Sequence, residues 1–297
     1  MKDKILKKRN ALVGLIAASI VVTPIALNRC GKGLDTDKTI SSPKASVSTS
    51  PTVTPAPSAS SALPFSPNQI SGLVAWYRAE YFGTQGMDYG QTITLAWNNA
   101  VDSSLGALTP VSTPVYYTSA GPNSTPAVHF DAAIDKFVAQ AASGLSTTVT
   151  GFTSFVIAKS QLAGTGIYWM NSNFPANITC ATYDSMFLGG ATTFTQAGLC
   201  RGASYAVPTI NLDSNFHIFR TTWDSTSTNL TLDISGLGAQ STTSVGSSIN
   251  LSGDFMLGYD GSNYMNGYIS EVLIWTRLLS QSEIDLINTY FRNKYGL

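Results

Sequence analysis

Charged side chains are scarce in this sequence. Asp, Glu, Lys and Arg make up 11% of the 297 residues, against about 25% in an ordinary soluble domain. Basic residues are also unevenly placed: nine precede residue 45, whereas the rest of the chain contains eight basic and fourteen acidic residues, a net charge of about −6. That part of the chain has no basic cluster. Nucleic acid is therefore excluded as a partner, because phosphate backbones are bound by clustered Lys and Arg.

Residues that carry out catalysis are few as well. Glycoside hydrolysis needs two carboxylates that flank the scissile bond, but only three glutamates, Glu80, Glu271 and Glu283, lie beyond residue 45. His129 and His217 lie in strand-like runs without the spaced His, Cys or Asp companions of a zinc site. No Gly-x-Ser-x-Gly motif of a serine hydrolase accompanies them. The sequence therefore predicts a noncatalytic protein that requires no cofactor.

Cysteine is also rare, with three residues in the whole chain. Cys180 and Cys200 have nineteen residues between them, within the part of the chain that is predicted to fold. We expect a disulfide between them if the chain is exported, because oxidising compartments preserve such pairs. The alternative is two thiols that never meet, since spacing along the sequence does not fix their distance.

The first 29 residues have the composition of an export signal. MKDKILKKR contains five positive charges and precedes an apolar run over residues 11–27. A helix over this run would be about 25 Å long, slightly short of the membrane core. Residues 1–29 are therefore predicted to be a cleaved signal peptide or a signal-anchor transmembrane segment. Lipidation at Cys30 is a third alternative, although Arg29 occupies the position where such signals have a small residue.

Residues 30–67 are predicted to form a disordered linker. From residue 41 onward the sequence is SSPKASVSTSPTVTPAPSASSALPFSP, with too few large apolar groups to offset the chain entropy lost on folding. Pro-rich chains extend by about 3.1 Å per residue, so this linker would act as a stalk. The basic N-terminal flank leaves everything after the apolar run outside. We therefore expect an exported protein at the cell surface, either membrane-tethered or secreted.

Residues 68–297 have the pattern of an all-β domain that ends in a helix. Short apolar runs separated by Gly, Asn, Asp, Ser and Pro predict many short strands, such as those over 152–158 and 230–234. The second of these, LTLDI, alternates apolar and polar residues, as a half-buried strand does. Ser280 and Glu283 form a capping-box pattern, which predicts a C-terminal helix.

Four segments in this domain follow the order of one family's motifs. They are residues 72–77 (GLVAWY), 97–104 (WNNAVDSS), 126–135 (PAVHFDAAID) and 255–283 (FMLGYDGSNYMNGYISEVLIWTRLLSQSE). In this order they resemble laminin-G-like jelly-roll domains of the concanavalin A-like lectin/glucanase superfamily. The resemblance implies a sandwich of two antiparallel sheets with a short closing helix over residues 68–297.

The superfamily includes lectins, glycosidases and adhesion modules, so the fold alone does not give the function. Its glucanase branch presents a Glu-x-Asp-x-Glu run on one strand, and this sequence has none. The resemblance implies a structural calcium ion, for which Asp131, Asp135 and Asp260 are the predicted ligands, with Asp254 nearby in another polar turn. The alternative is that these aspartates stabilise their own turns through local hydrogen bonds.

Glu271 is expected to have a structural role. Strand alternation places it on the same face as Ile269, Leu273 and Trp275. A carboxylate among apolar neighbours must be paired or hydrogen-bonded, because unpaired burial costs several kcal/mol. We expect its partner to be Arg277 or backbone N–H groups, in preference to a catalytic role.

Sugar binding needs aromatic faces for stacking and polar groups for the hydroxyls. Trp76, Trp223 and Trp275 lie within predicted strands and are expected to be core residues. The predicted ligand-binding residues are Tyr259, Asp260, Asn263, Tyr264, Tyr89, Trp97 and Trp169.

The sequence as a whole predicts a surface-tethered binding or adhesion module. Its expected partners are a carbohydrate or surface glycoprotein, together with the membrane through the N-terminal segment. The alternative is a structural surface protein that packs against its neighbours. A glycoside hydrolase is the least favoured hypothesis, because the carboxylate pair is not evident.

Overall fold

The part of the chain that the computed structural model describes lies within Ser61–Leu297. The described residues are 64–101, 105–131, 135–139, 149–161, 167–172, 186–190, 197–201, 204–206, 212–245, 254–258 and 265–297. The predicted export signal and nearly all of the predicted linker lie outside them. Within these residues, no helix combines the length and the apolar character that a membrane span requires.

The described residues form sixteen strands and two α-helices. In chain order the strands are β1 (Leu73–Arg78), β2 (Gln91–Thr92), β3 (Thr109–Val111), β4 (Val115–Tyr117), β5 (Ala127–Asp131), β6 (Lys136–Ala139), β7 (Gly151–Ser160), β8 (Ile167–Ser172), β9 (Met186–Gly190), β10 (Ala197–Arg201), β11 (Ser204–Ala206), β12 (His217–Asp224), β13 (Asn229–Ile234), β14 (Ala239–Ser244), β15 (Asp254–Leu257) and β16 (Asn266–Trp275). The helices are α1 (Glu80–Thr84) and α2 (Gln281–Tyr295). The predicted strands over 152–158 and 230–234 are confirmed as parts of β7 and β13.

These strands form two antiparallel sheets. The larger has the order β14-β13-β12-β7-β16-β5-β4-β2, and β1 pairs with β16 beyond the end of β5. The smaller has the order β11-β10-β9-β8-β15-β6-β3. Phe130 and Val156 of the larger sheet share one buried cluster, the inner core, with Phe137 and Phe255 of the smaller sheet. The predicted all-β sandwich is therefore confirmed.

Helix α2 covers part of the outer face of the larger sheet. A second core lies between them, and its buried members include Trp76, Phe155, Ile157, Leu273, Trp275, Ile284, Ile287 and Phe291. Because both faces of β7 are covered, its first eight residues are all buried. Such a strand lacks the alternation of buried and exposed residues that is seen where one face of a sheet is in water. The expected core positions of Trp76, Trp223 and Trp275 are confirmed, with side chains at most 6% exposed.

An irregularity in β16 changes which residues share a face with Glu271. The register between β16 and β7 shifts between Ile269 and Glu271. Ile269 consequently lies in the inner core, whereas Leu273 and Trp275 lie in the second core beneath α2. The prediction that Ile269 shares a face with Glu271 is therefore wrong, because simple alternation does not continue across a β-bulge.

Candidate functional site

A row of aromatic side chains crosses the outer face of the larger sheet. Its members, which we call the aromatic row, are Tyr89, Tyr117, His129, Tyr268 and Phe216, each within ring contact of the next. Tyr89 precedes β2 and Phe216 precedes β12, whereas the other three lie in β4, β5 and β16. The row therefore joins segments that are far apart in the sequence.

Strand alternation explains why these rings face outward. In β4, Tyr116 belongs to the inner core, so the next residue, Tyr117, points to the opposite face. His129 and Tyr268 likewise adjoin inner-core residues in their strands. The register then aligns them, because His129 of β5 and Lys159 of β7 both lie directly opposite Tyr268. The row is continuous because neighbouring strands present adjacent outward positions.

The rings are held in fixed orientations by contacts with one another. The centroids of Tyr89 and Tyr117 are 4.8 Å apart at an interplanar angle of 79°, an edge-to-face geometry that aromatic pairs favour. Those of Tyr117 and Tyr268 are 5.9 Å apart at 66°. The side chain of Tyr89 is 64% exposed, and Tyr117, His129 and Tyr268 are half-buried. Aromatic surface therefore remains open to solvent along the row.

Two polar side chains lie beside the row. Gln161 places Oε1 3.0 Å from Nε2 of His129 and donates from Nε2 to the Tyr268 hydroxyl at 3.3 Å. The Lys159 ammonium lies 4.6 Å from the ring centroid of Tyr268 and 4.9 Å from that of Phe216. Burial lowers the pKa of Lys159, and burial together with Tyr117 raises the pKa of Tyr268. The Tyr268 hydroxyl therefore keeps its proton at neutral pH.

A polar cleft opens at the Phe216 end of the aromatic row. Its volume is about 500 Å³, within the range of small-molecule sites. Strand β12, strand β13 and helix α2 contribute its walls, and its polar lining includes Asp213, His217, Arg220, Asp233, Asn288 and Arg292. Phe216 belongs to both features, so the row and the cleft form one continuous candidate site.

Both carboxylates in the cleft have partners. Asp213 Oδ1 lies 2.8 Å from His217 Nε2 and accepts a hydrogen bond of 2.8 Å from the backbone N–H of Asn215. The bond from Asn215 is the main reason that the pKa of Asp213 is lowered. Asp233 forms an ion pair with Arg220 at 2.7 Å. Both carboxylates are therefore engaged by neighbouring groups of the protein.

Glu271 is fully buried beneath α2 and has four side-chain donors around it. Trp76 Nε1 and the Tyr295 hydroxyl donate to it, the Tyr290 hydroxyl donates at 2.9 Å and the Lys294 ammonium at 2.7 Å. Burial and the nearby Glu271 charge raise the pKa of both tyrosines, which therefore remain protonated donors. The predicted need for a partner is confirmed.

The predicted identity of that partner is wrong. Arg277 instead forms a two-point ion pair with Glu283, at 2.6 and 2.9 Å. Lys294 is the cation at Glu271, and it also pairs with Glu80 at 2.7 Å. Arg277 follows β16 and reaches the start of α2, whereas the donors to Glu271 come mostly from the last turns of α2.

The predicted ligand-binding residues are distributed over several environments. Tyr89 lies on the surface, in the aromatic row. Trp97 is fully buried in the inner core, where its Nε1 donates to the carbonyl of Arg78 at 2.9 Å, so its ring is not available for stacking. Trp169 lies in β8. The other four, Tyr259, Asp260, Asn263 and Tyr264, lie outside the described residues, and their role stays a prediction.

The predicted calcium ligands have different surroundings. Asp131 is exposed, whereas Asp135 is buried. Asp135 accepts hydrogen bonds from the backbone N–H of Thr113 at 2.9 Å and from that of Asp131 at 3.2 Å, one on each oxygen. These bonds are of the kind expected if the aspartates stabilise their own turns, and the calcium ion stays a prediction. The described part of the chain contains no group of three His, Cys, Asp or Glu residues that could hold an ion, and Asp260 lies outside that part.

The predicted disulfide is placed only in part. Cys200 lies in β10, whereas Cys180 lies outside the described residues, so the disulfide stays a prediction.

In the segment 97–104, Asn99 accepts a hydrogen bond from the backbone N–H of Trp76 at 2.8 Å and donates to the carbonyls of Val74 and Leu105 at 2.9 and 2.8 Å. The Asn99 amide therefore connects this segment to β1 through hydrogen bonds.

Sequence reasoning missed four members of the aromatic row. Tyr117, His129, Phe216 and Tyr268 lie in or beside strands, where aromatic side chains are expected to belong to the core. A usable signal was present, because each strand member is next to a residue that alternation assigns to the core. The alignment of these outward positions across strands depends on the register, which the sequence does not give directly.

Comparisons with known proteins agree with the sandwich fold. No protein-family model and no curated protein matches the sequence. Among solved structures, this chain is similar to domain 4 of AbnA, an extracellular GH43 arabinanase from Geobacillus stearothermophilus, which was determined in complex with arabinotriose. The TM-score is 0.50 at 14% sequence identity, and the match covers 72% of this chain and 97% of that one. A GH54 α-L-arabinofuranosidase has a TM-score of 0.50 at 10% identity, covering 74% and 58%. The likeness shows a shared β-sandwich fold.

Proposed function

We propose that this protein is a noncatalytic, surface-tethered module that binds glycans along the aromatic row. The observation that carries this proposal is the alignment of Tyr89, Tyr117, His129, Tyr268 and Phe216 on one solvent-facing surface. A sugar ring presents apolar C–H groups on its faces and hydroxyls around its edge. Such a ligand is recognised by aromatic faces combined with a few polar groups.

The polar neighbours of the row fit this ligand class. Gln161, His129 and the Tyr268 hydroxyl form a connected hydrogen-bonding group that can exchange donors and acceptors with sugar hydroxyls. The rings contact one another, so little side-chain freedom is left to be lost on binding. A ligand that runs across the strands would contact the row first and the cleft at its Phe216 end.

The structural comparisons support a polysaccharide as the ligand class. Arabinotriose is present in the structure of the AbnA domain, and the second similar protein is named an arabinofuranosidase. Arabinotriose is therefore the first ligand to test. Within this class of folds, the order of sequence motifs favours the laminin-G-like group.

Three features support a binding role without catalysis. Glu271 is enclosed by donors and fully buried, Asp213 is held ionised, and Asp233 is paired with Arg220. None of the three is arranged as the acid of a glycosidase pair. The predicted export signal and the predicted Ser/Thr/Pro-rich stalk support a position outside the cell, where polysaccharides are accessible.

The proposal is tested by substituting the most exposed ring of the row. In the full-length protein, Tyr89→Ala should weaken the binding of arabinotriose, or of the best ligand on a glycan array, about fivefold in Kd. This is the loss of roughly 1 kcal/mol of aromatic stacking. Tyr89→Phe retains the ring and should bind nearly as well as the unaltered protein. Isothermal titration calorimetry measures both variants.

Leu286→Ala is the matched control, because it removes another exposed apolar side chain, 45% exposed, from α2. It should leave Kd unchanged. Equal affinities of Tyr89→Ala and the unaltered protein would contradict binding along the row. Release of reducing sugar from the bound polysaccharide would contradict the noncatalytic assignment.

A further inference from the structure

The acidic side chains of the cleft have partners, whereas two cationic side chains near it have none among the described carboxylates. Asp213 has His217 as its partner, and Asp233 has Arg220. The cationic side chains of Arg292 and Lys159, in contrast, have no carboxylate within ion-pair distance among the residues that the structure describes. Arg292 and Lys159 are therefore two positive charges near the Phe216 end of the row that no described carboxylate neutralises, in a domain whose net charge is about −6.

Both unpaired cations lie near the Phe216 end of the aromatic row. Lys159 lies 4.9 Å from the ring centroid of Phe216, and Arg292 lines the cleft to which Phe216 also belongs. Arg292 is exposed and lies in the last turn of α2, so its guanidinium can reorient toward a ligand. Lys159 is half-buried, so its ammonium group has already lost part of its hydration. Less free energy is therefore needed to remove the rest when an anion binds.

The cleft also offers groups that recognise a sugar ring. Phe216 supplies an aromatic face, and the half-buried amide of Asn288 lies in the lining beside Arg292. A volume of about 500 Å³ is sufficient for a small ligand such as one sugar unit. A guanidinium presents two parallel N–H groups that match the oxygens of a carboxylate or a sulfate.

We infer that the cleft is a subsite for an anionic sugar unit, whose carboxylate or sulfate group pairs with Arg292 while its ring lies against Phe216. This inference rests on the proposed function, since it names the chemical class of the sugar that occupies one end of the glycan. The positive charge of Lys159 adds to the electrostatic attraction for an anion at the same position. A neutral glycan binds the aromatic row without using Arg292.

The test compares three oligosaccharides of equal length with the full-length protein: an oligogalacturonate, a sulfated oligosaccharide and a neutral oligosaccharide. At low ionic strength, Arg292→Ala should weaken the binding of the preferred anionic oligosaccharide about tenfold in Kd, and Arg292→Lys should weaken it less. Binding of the neutral oligosaccharide should be unchanged. The difference between the two anionic ligands identifies which group the cleft accepts. Lys136→Ala, which removes one positive charge from β6 of the smaller sheet, should leave all affinities unchanged.

The two levels of the proposal fail differently. If the neutral oligosaccharide binds through Tyr89 but Arg292→Ala has no effect on either anionic ligand, the anionic subsite is wrong and the aromatic row stands. An equal loss of affinity in Lys136→Ala would also contradict the subsite, because it would show general charge attraction. If neither anionic ligand binds although the best ligand on the glycan array does, the subsite is wrong and the proposed function stands; if no glycan binds, both are wrong.

Discussion

At the scale of single residues, Glu271 shows how a fully buried charge is accommodated. Its carboxylate accepts hydrogen bonds from Trp76, Tyr290, Lys294 and Tyr295. Lys294 extends this network to Glu80. Three of the four donors belong to α2, so the carboxylate ties the helix to β16. The network is a structural connection between two elements.

Replacing Glu271 by Gln should therefore destabilise the protein. An amide has one acceptor oxygen and its NH2 group would face other donors, so several buried donors would lose their partner. We expect a loss of about 3 kcal/mol, which corresponds to a fall of roughly 6–12 °C in Tm. Thermal unfolding followed by near-UV circular dichroism measures this. A variant as stable as the unaltered protein would show that the network contributes little.

The sequence was sufficient to predict that Glu271 needs a partner but not to identify it. Burial follows from its apolar neighbours in β16 and from the cost of an unpaired charge. The partner depends on how α2 lies on the sheet, and Arg277 is close in sequence but engaged with Glu283. The burial of Trp97 likewise depends on how separate segments pack, because its segment folds back under β1, where Trp97 donates to the carbonyl of Arg78.

At the scale of elements, the start of α2 is fixed by two groups of interactions. Ser280 Oγ accepts from the backbone N–H of Glu283, and Glu283 accepts from the backbone N–H of Ser280 at 2.9 Å. Arg277 then pairs with both oxygens of Glu283. The bonds from Arg277, followed by those from Ser280, lower the pKa of Glu283 to about 2.

This lowered pKa predicts how the cap responds to acid. Because the folded pKa is below the unfolded one, near 4.5, the stabilisation by Glu283 is present above about pH 4.5 and is lost as the pH falls toward 2. Glu283→Gln should cost about 1 kcal/mol at pH 7. The difference in unfolding free energy between the two proteins should shrink as the pH is lowered. Urea titrations at several pH values measure it, and Asp285→Asn, which alters a neighbouring surface carboxylate, should show a smaller difference at pH 7.

The long elements were more predictable than the short ones. Strand β13 and helix α2 have apolar periodicity, and β7 is a long and mainly apolar run, so the sequence predicts all three. Helix α1 was missed because five residues give no periodic signal. Single outward aromatics such as Tyr117 and Tyr268 were also missed, since a strand aromatic is assigned to the core unless its register is known.

At the scale of the whole molecule, the order of the sequence motifs predicts the sandwich, but it does not predict the candidate site. The aromatic row joins Tyr89, near the start of the domain, to Tyr268, near its end, through strand pairings that are distant in sequence. No local motif marks such a surface. It exists only because β16 lies between β5 and β7 in the folded sheet.

The most direct measurement of glycan binding along the row is hydroxyl-radical footprinting of the full-length protein with and without its best ligand, because this method reports the solvent exposure of individual side chains. We predict that the ligand protects Tyr89, Tyr117 and Tyr268 from oxidation and leaves Leu286 on α2 unaffected. Protection confined to the smaller sheet, or to Tyr259 and Tyr264, with the three row tyrosines unchanged, would contradict the assignment of this face as the binding surface.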